Sequence, residues 1–117
     1  MTTILYVEDH PPARLLMQAI IAELTEFDLQ LAEDGAEALE LAPRIMPALY
    51  ILDFDLPDTD GVALGQQLHQ IHPAPIIFVS AYAESIQEEV FADLNYTYLS
   101  KPLDPDHVAT ILRRTLS

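Results

Sequence analysis

The sequence predicts an open α/β fold in which parallel strands alternate with helices along one chain. Short apolar runs end abruptly at polar residues, and the segments between them carry apolar residues at helical spacing. The clearest run covers residues 48–52, stops at Asp53 and is followed by the turn residues Pro57 and Gly61. Such a run, bounded by turn signals, is typical of a strand buried on both faces. The remainder of the chain repeats this alternation.

Five strands are expected, at residues 4–7, 28–32, 48–52, 76–79 and 96–99. The sequence contains no linker, repeat or low-complexity segment, so residues 1–117 are expected to form one domain. Right-handed crossovers between parallel strands leave few topologies. The flavodoxin-like order 2-1-3-4-5, with helices on both faces of the sheet, fits five strands and places the first and third strands side by side.

The helices are predicted at residues 13–24, 36–42, 61–71 and 84–93, followed by a last helix capped by Asp104. The second is expected to end at Pro43. Periodicity assigns an inner face to three of the helices. These positions are Ala13, Leu16, Met17, Ile20, Ile21 and Leu24; then Val62, Leu64, Gly65, Leu68 and Ile71; and finally Val108, Ile111, Leu112 and Leu116.

Composition excludes several classes of function. Five basic residues against nineteen acidic ones give a formal net charge of −14, which disfavours direct binding to nucleic acids or anionic membranes. The absence of cysteine excludes disulfides, thiolate metal sites and thiol catalysis. The N-terminus lacks the basic and apolar regions of a signal peptide, and no apolar run is long enough to span a membrane. A cytoplasmic protein is therefore expected.

Carboxylates follow two of the predicted strands. Glu8 and Asp9 come after the first strand and Asp53 comes after the third, so the predicted order brings all three to one edge of the sheet. Three converging carboxylates repel one another, and a hard divalent cation such as Mg²⁺ would relieve that repulsion. A solvated acidic loop cluster is the alternative interpretation.

Two further strand ends carry groups that suit phosphate chemistry. Ser80 ends the fourth strand, and Lys101, the only lysine in the chain, ends the fifth. An ammonium group beside carboxylates and a metal ion can neutralise the charge that develops during phosphoryl transfer. In this interpretation Asp53 is a carboxylate nucleophile and Ser80 binds a phosphoryl oxygen. A single solvated lysine is the alternative for Lys101.

Four segments, in this order along the chain, resemble the receiver domain of two-component response regulators. They are Glu8-Asp9, residues 52–61 (LDFDLPDTDG), residues 79–81 (VSA) and residues 98–102 (YLSKP). Each segment alone is a weak signal, whereas the four together are highly specific. The resemblance covers the whole chain.

The resemblance implies a phosphorylation-dependent signalling switch, not a turnover enzyme, in which Asp53 accepts a phosphoryl group. The group would come from a phosphohistidine on a sensor histidine kinase or a histidine phosphotransfer protein. The Mg²⁺ ligands would be Glu8, Asp9, Asp53 and the backbone carbonyl of Asp55. Ser80 and Lys101 would bind the phosphoryl group, and Tyr98 would move inward as the switch aromatic.

The family's output surface would comprise the helix at 84–93, the fifth strand and the last helix, with a downstream effector or a second copy as its partner. Asp55 and Tyr82 lie two residues beyond Asp53 and Ser80, where they would tune the lifetime of the phosphoryl group. The sequence differs from the usual family pattern at Glu8, at residues 94–95 and in the length of the segment between Ser80 and Lys101.

Two alternative functions remain open on sequence grounds. A degenerate receiver would act only as a protein-interaction module, and the unusual segment before the fifth strand is compatible with that. The residues Asp53-Phe54-Asp55 also resemble the Asp-x-Asp signature of Mg²⁺-dependent haloacid-dehalogenase hydrolases. Those enzymes place the motif on the first strand of a longer chain, which disfavours this alternative.

Overall fold

The computed structural model describes residues 2–81 and 96–117, and these form one parallel sheet flanked by helices. The sheet order is β2-β1-β3-β4-β5, which confirms the predicted topology. The strands are β1 (Thr3–Val7), β2 (Asp28–Ala32), β3 (Leu49–Asp53), β4 (Ile76–Ser80) and β5 (Tyr96–Ser100). The helices are α1 (Pro11–Leu24), α2 (Gly35–Ile45), α3 (Gly61–Ile71) and α4 (Pro105–Leu116). The helix predicted at 84–93, together with Tyr82 and residues 94–95, lies outside the described residues.

Strand register aligns the carboxyl ends of the central strands. Val7 lies opposite Leu52 in the β1–β3 pair, and Asp53 lies opposite Val79 in the β3–β4 pair. Ser80 lies opposite Ser100 at the end of the β4–β5 pair. Residues just beyond these positions therefore emerge along a single edge of the sheet.

The core has two layers because successive side chains of a strand point to opposite faces. On one face, the apolar side chains pack against α1 and α4; the strand residues are Ile4, Tyr6, Leu49, Ile51, Ile77, Val79 and Leu99. On the other face they pack against α2 and α3; the strand residues are Leu5, Val7, Ala32, Tyr50, Leu52, Ile76 and Phe78. All five residues of β3 are buried, as expected for a central parallel strand.

Helix α2 continues through Pro43 to Ile45, so its predicted end at residue 42 is wrong. Proline removes one backbone donor, and near the end of a helix that loss affects only the last turn. The turn is closed by the Met46 N–H, which donates to the Ala42 carbonyl at 2.9 Å. Met46 itself adopts a left-handed conformation with φ of 45°, a common way to end a helix.

Two predicted core positions lie near the surface. Leu16 is 41% exposed, and it lines a cavity of about 440 Å³ together with residues that include Ala81, Lys101 and Leu103. Ile71 is 43% exposed because it is the last residue of α3 and lies beyond the final buried position of that helix. In α1 and α3, the apolar positions thus extend beyond the part of the helix that the sheet covers.

Asp104 occupies the residue before α4 as predicted, but its side chain makes no capping hydrogen bond. Its backbone carbonyl instead accepts from the Val108 N–H at 2.9 Å. Pro105 opens the helix and has no N–H that needs an acceptor, which lowers the demand for a capping side chain. The inner face of α4 is as predicted, with Val108 and Leu112 fully buried.

Candidate functional site

Three carboxylates converge at the carboxyl edge of the sheet, as the sequence predicts. Glu8 and Asp9 follow β1, and Asp53 is the last residue of β3. One carboxylate oxygen from each of the three lies within 4.8 Å of the other two. Glu8 is completely buried and Asp53 is 5% exposed, whereas Asp9 is exposed to solvent. Two carboxyl groups are therefore held inside the protein while the third faces the solvent.

Glu8 is held by contacts to its side chain and to its backbone. Its Oε1 accepts a hydrogen bond from the Tyr6 hydroxyl at 3.1 Å and lies 3.2 Å from the Lys101 ammonium nitrogen. Its Oε2 accepts a longer bond, at 3.4 Å, from the His10 backbone N–H. The Arg14 guanidinium donates to the Glu8 backbone carbonyl at 2.9 Å. The glutamate is thus fixed at both its side chain and its peptide group.

Two of these contacts were missed in the sequence. Tyr6 belongs to the apolar run predicted as the first strand, and no role is predicted for Arg14. A signal for Tyr6 exists, because residues i and i+2 of a strand share a face and therefore Tyr6 and Glu8 point the same way. No comparable signal identifies Arg14, since its contact depends on the path of the loop before α1.

Asp53 contacts the neighbouring loop and the lysine through one oxygen. Its Oδ1 accepts a hydrogen bond from the Asp55 N–H at 3.3 Å and lies 3.7 Å from the Lys101 ammonium nitrogen. Lys101 therefore bridges two buried carboxylates that come from different strands. Its backbone N–H also donates to the Ser80 carbonyl at 3.0 Å, which continues the β4–β5 ladder by one residue.

The electrostatics of this cluster separate its two buried carboxylates. Burial and the adjoining Glu8 carboxylate raise the pKa of Asp53, and the attraction of Lys101 only partly offsets this. Burial also raises the pKa of Glu8, but the hydrogen bond with Asp53 and the charge of Lys101 outweigh burial and lower it overall. Burial would lower the pKa of Lys101, yet the two carboxylates raise it. Lys101 is therefore a fixed cation, and Asp53 is the carboxyl group that holds its proton more tightly.

The other predicted site residues occupy three different environments. Ser80 is buried at the end of β4, beside the carboxylate cluster. Asp55 is exposed, and only its backbone N–H contacts Asp53. Tyr98 lies on β5 and is 43% exposed, so its ring is outward in this structure. Tyr82 lies outside the described residues.

Two aspartates in the loop after β3 bind backbone N–H groups at the start of helices. The Asp58 carboxylate accepts from the backbone N–H groups of Gly35 at 2.9 Å and Ala36 at 3.0 Å. These bonds lower the pKa of Asp58. Asp60 accepts from the Ala63 N–H at 2.8 Å and caps α3. The loop that follows Asp53 is therefore fastened to two helices.

The donor set of the cluster fits a hard divalent cation. Glu8, Asp9 and Asp53 offer only oxygen, and their carboxylates lie close enough together to share one ion. Within the described part of the chain, Lys101 is the cation that contacts these carboxylates. Three carboxylates against one ammonium group leave an excess of negative charge that a divalent ion would balance.

The residues that form this site also match a known family. Residues 4–113 match the model of the response regulator receiver domain. The chain belongs to this family. Receiver domains act in phosphorylation-dependent two-component signalling, so the predicted class of function is confirmed. The Asp-x-Asp hydrolase alternative has no comparable support among these matches.

Relatives of this receiver domain include a response regulator and a histidine kinase. It is 31% identical over 122 residues to the response regulator Rre1 of Synechocystis, covering 98% of this chain and 52% of that protein. It is 28% identical over 116 residues to the histidine-protein kinase BarA of Escherichia coli, covering 96% of this chain and 12% of the kinase. The chain thus spans about half or less of these relatives, in which the receiver is joined to other parts.

Solved structures agree with the fold and include a metal. The receiver domain of the sensor histidine kinase PA1611 from Pseudomonas aeruginosa has a TM-score of 0.86, at 28% identity and with 98% and 97% of the two chains covered. That structure has a magnesium ion in its active-site cleft. The chemotaxis protein CheY4 of Vibrio cholerae has a TM-score of 0.88 at 22% identity, with 99% of each chain covered. Of the helices described in this receiver domain, none has the length and apolar character needed to cross a membrane.

Proposed function

We propose that this receiver domain, residues 1–117, accepts a phosphoryl group on Asp53 from a phosphohistidine of a histidine kinase or a phosphotransfer protein. The observation that carries the proposal is the convergence of Glu8, Asp9, Asp53 and Lys101 at one edge of the sheet. Mg²⁺ would be held by the three carboxylates and by the backbone carbonyl of Asp55. The magnesium ion in the cleft of the PA1611 receiver domain supports this assignment.

The transfer forms one bond and breaks one. An Asp53 oxygen attacks phosphorus, and the phosphorus–nitrogen bond of the phosphohistidine breaks, with its electron pair returning to the imidazole. The Asp55 N–H and the Lys101 ammonium nitrogen both contact Oδ1, which favours Oδ2 as the attacking oxygen. Mg²⁺, when bound, would neutralise the negative charge that develops during the transfer.

The remaining residues would bind the phosphoryl group on Asp53 and change conformation in response to it. Lys101 would turn from Asp53 to a phosphoryl oxygen, and the Ser80 hydroxyl would bind another. The outward Tyr98 would then move inward, which makes β5 and α4 the described part of the output surface. Asp55 and Tyr82 would set how long the acyl phosphate lasts. The domain would catalyse its own phosphorylation and dephosphorylation without turning over a separate substrate.

Mass spectrometry of the intact protein tests the proposal. The protein is incubated with Mg²⁺ and acetyl phosphate, beside an Asp53→Asn variant. Asp104→Asn is the matched control, because Asp104 is exposed and makes no side-chain cap bond. We expect a single phosphoryl adduct in the wild type and in Asp104→Asn, dependent on Mg²⁺, and none in Asp53→Asn.

The absence of an adduct in the wild type would contradict the proposal. The chain would then be a receiver that acts by binding partners only. An adduct that persists in Asp53→Asn would assign the phosphoryl group to another residue, and peptide mapping would locate it.

A further inference from the structure

We propose that Tyr6 is a positioning residue of this site, whose hydroxyl sets the Glu8 carboxylate for binding both Lys101 and the metal ion. The inference rests on the proposed function and adds a residue that touches neither the phosphoryl group nor the cation. It follows from the hydrogen bond between the Tyr6 hydroxyl and Glu8 Oε1, which is 3.1 Å long and buried.

The ring of Tyr6 is held rigidly. Its side chain is completely buried in the core layer between the sheet and the helices α1 and α4, among residues that include Ile4, Met17 and Ile51. Protein cores are close-packed, so such a ring has a single position. The hydroxyl at its end is consequently a fixed donor aimed at the edge of the sheet.

A glutamate at this place needs such a donor. It has one more rotatable bond than aspartate, and a buried carboxylate must find hydrogen-bond partners. The Tyr6 hydroxyl and the Lys101 ammonium group both contact Oε1. Oε2 accepts the longer contact from the His10 N–H, and Glu8 also shares a side-chain hydrogen bond with Asp53. Since Tyr6 and Lys101 hold Oε1, Oε2 is the oxygen that we assign to the cation. The two oxygens of Glu8 are thereby assigned different tasks.

Partners of metal ligands influence affinity although they do not touch the metal. Removing one weakens metal binding by roughly 10- to 100-fold in well-studied sites. Without the Tyr6 hydroxyl, the Glu8 side chain would rotate more freely and Oε2 would no longer be held toward the site. We therefore expect about a tenfold loss of Mg²⁺ affinity for Tyr6→Phe.

The first test compares Tyr6→Phe with a matched control, Tyr50→Phe. Tyr50 is also completely buried, and its hydroxyl donates to the His72 carbonyl at 2.7 Å, at the opposite end of the sheet. The Mg²⁺ Kd is measured by calorimetry and the phosphorylation rate by intact mass. We expect Tyr6→Phe to weaken Mg²⁺ binding about tenfold and to slow phosphorylation. Tyr50→Phe should leave the Mg²⁺ Kd within about twofold even if it lowers the melting temperature.

A double-mutant cycle with Glu8→Asp gives the decisive readout. Aspartate is one methylene shorter, so its carboxylate is not expected to reach the Tyr6 hydroxyl. In the Glu8→Asp background, Tyr6→Phe should therefore cause no further loss of Mg²⁺ affinity. An equal loss in both backgrounds would show a purely structural effect of Tyr6 and would overturn the inference.

The outcomes separate this inference from the proposed function. If the wild type becomes phosphorylated and Tyr6→Phe matches it in both Kd and rate, the inference is wrong and the proposed function stands. If the wild type neither binds Mg²⁺ nor becomes phosphorylated, the proposed function fails, and the inference fails with it. Circular dichroism verifies that Tyr6→Phe is folded before it is compared with the wild type.

Discussion

The ammonium nitrogen of Lys101 lies 3.2 Å from Glu8 Oε1 and 3.7 Å from Asp53 Oδ1, so its nearer partner is Glu8 and not the proposed phosphoacceptor. Both carboxylates are buried, whereas the lysine side chain is partly exposed. Lys101 thus neutralises the inner carboxylate while its outer side stays open toward solvent. Lys101 therefore has two separate roles: it stabilises the fold through Glu8, and it is available to bind a phosphoryl group on its solvent-facing side.

The first prediction concerns Lys101→Ala. Removing the lysine leaves two buried carboxylates without their contacting cation, so the variant should lose about 1–2 kcal/mol of unfolding free energy at neutral pH, less than a fully buried pair would lose. Urea denaturation without Mg²⁺ measures this. The double variant Lys101→Ala/Glu8→Gln should recover part of the loss, because the stranded charge is then gone. No recovery would mean that the lysine stabilises the fold through its aliphatic chain.

The second prediction is that Asp53→Asn stabilises the metal-free protein. The substitution removes one of two neighbouring buried carboxylates, and an asparagine oxygen can still accept from the Asp55 N–H. We expect the melting temperature in EDTA to rise by about 4 °C, which corresponds to a gain of about 1 kcal/mol. Added Mg²⁺ should raise the melting temperature of the wild type by mass action and have little effect on the variant. A lower melting temperature for Asp53→Asn in EDTA would contradict this account of the repulsion.

A third prediction addresses the contact between α2 and the loop after β3. A methyl group at Gly35 would lie 2.6 Å from Thr59 Cγ2 and 3.3 Å from Asp58 Oδ1. Gly35→Ala should therefore displace this loop and cost about 1–3 kcal/mol. Gly35→Ala/Thr59→Ser, which removes the clashing methyl group, should restore most of the loss. Chemical denaturation of both variants decides the point, and an undiminished loss in the double variant would refute the steric explanation.

A fourth prediction gives the pH dependence of the Asp58 cap. The backbone N–H groups of Gly35 and Ala36 lower the pKa of Asp58 in the folded protein below its value in the unfolded chain. The ionised cap therefore adds stability at pH values above the unfolded-state pKa, and this contribution disappears as the pH falls through the lower, folded-state pKa. The stability difference between wild type and Asp58→Asn should shrink as the solution is acidified from neutral pH to about pH 3. A difference that does not change with pH would rule out this contribution.

The fifth prediction concerns Tyr98, whose ring is now 43% exposed. If it is the switch aromatic, phosphorylation should move the ring inward and reduce its access to solvent. The nuclear magnetic resonance signals of Tyr98 are compared before and after acetyl phosphate is added with Mg²⁺. The shift should be lost in Ser80→Ala even when that variant carries the adduct. An unchanged Tyr98 signal in the phosphorylated wild type would remove this residue from the switch.

Much of the fold and of the candidate site was predictable because both follow from where apolar runs stop. Asp53 and Lys101 each lie at the end of a run, and the parallel sheet then brings such ends together. Helix details were less predictable. Pro43 lies inside the last turn of α2, and Leu16 is 41% exposed, because tertiary packing sets how long a helix runs and how much of its apolar stripe is covered.

The supporting contacts were the least predictable part. Arg14 contacts the backbone carbonyl of Glu8 and Asp58 contacts the backbone N–H of Gly35, and backbone donors and acceptors carry no sequence signal. Tyr6 is different, since its place two residues before Glu8 fixes their common face. A tyrosine in an otherwise apolar strand, followed by a carboxylate on the same side, is a pattern that sequence reasoning can use.

The bridging position of Lys101 also has a consequence for how the molecule assembles. Glu8, Asp53 and Lys101 come from the ends of three strands that are far apart along the chain, so the site is complete only when all three strands have paired. Until β5 pairs with β4, the Glu8 and Asp53 carboxylates have no Lys101 beside them. The last strand of the chain thus supplies the cation that these two carboxylates contact. A chain caught before that step would lack the lysine that phosphoryl transfer needs. Only the completely folded protein would therefore accept a phosphoryl group. Misfolded copies would not be phosphorylated and would not signal.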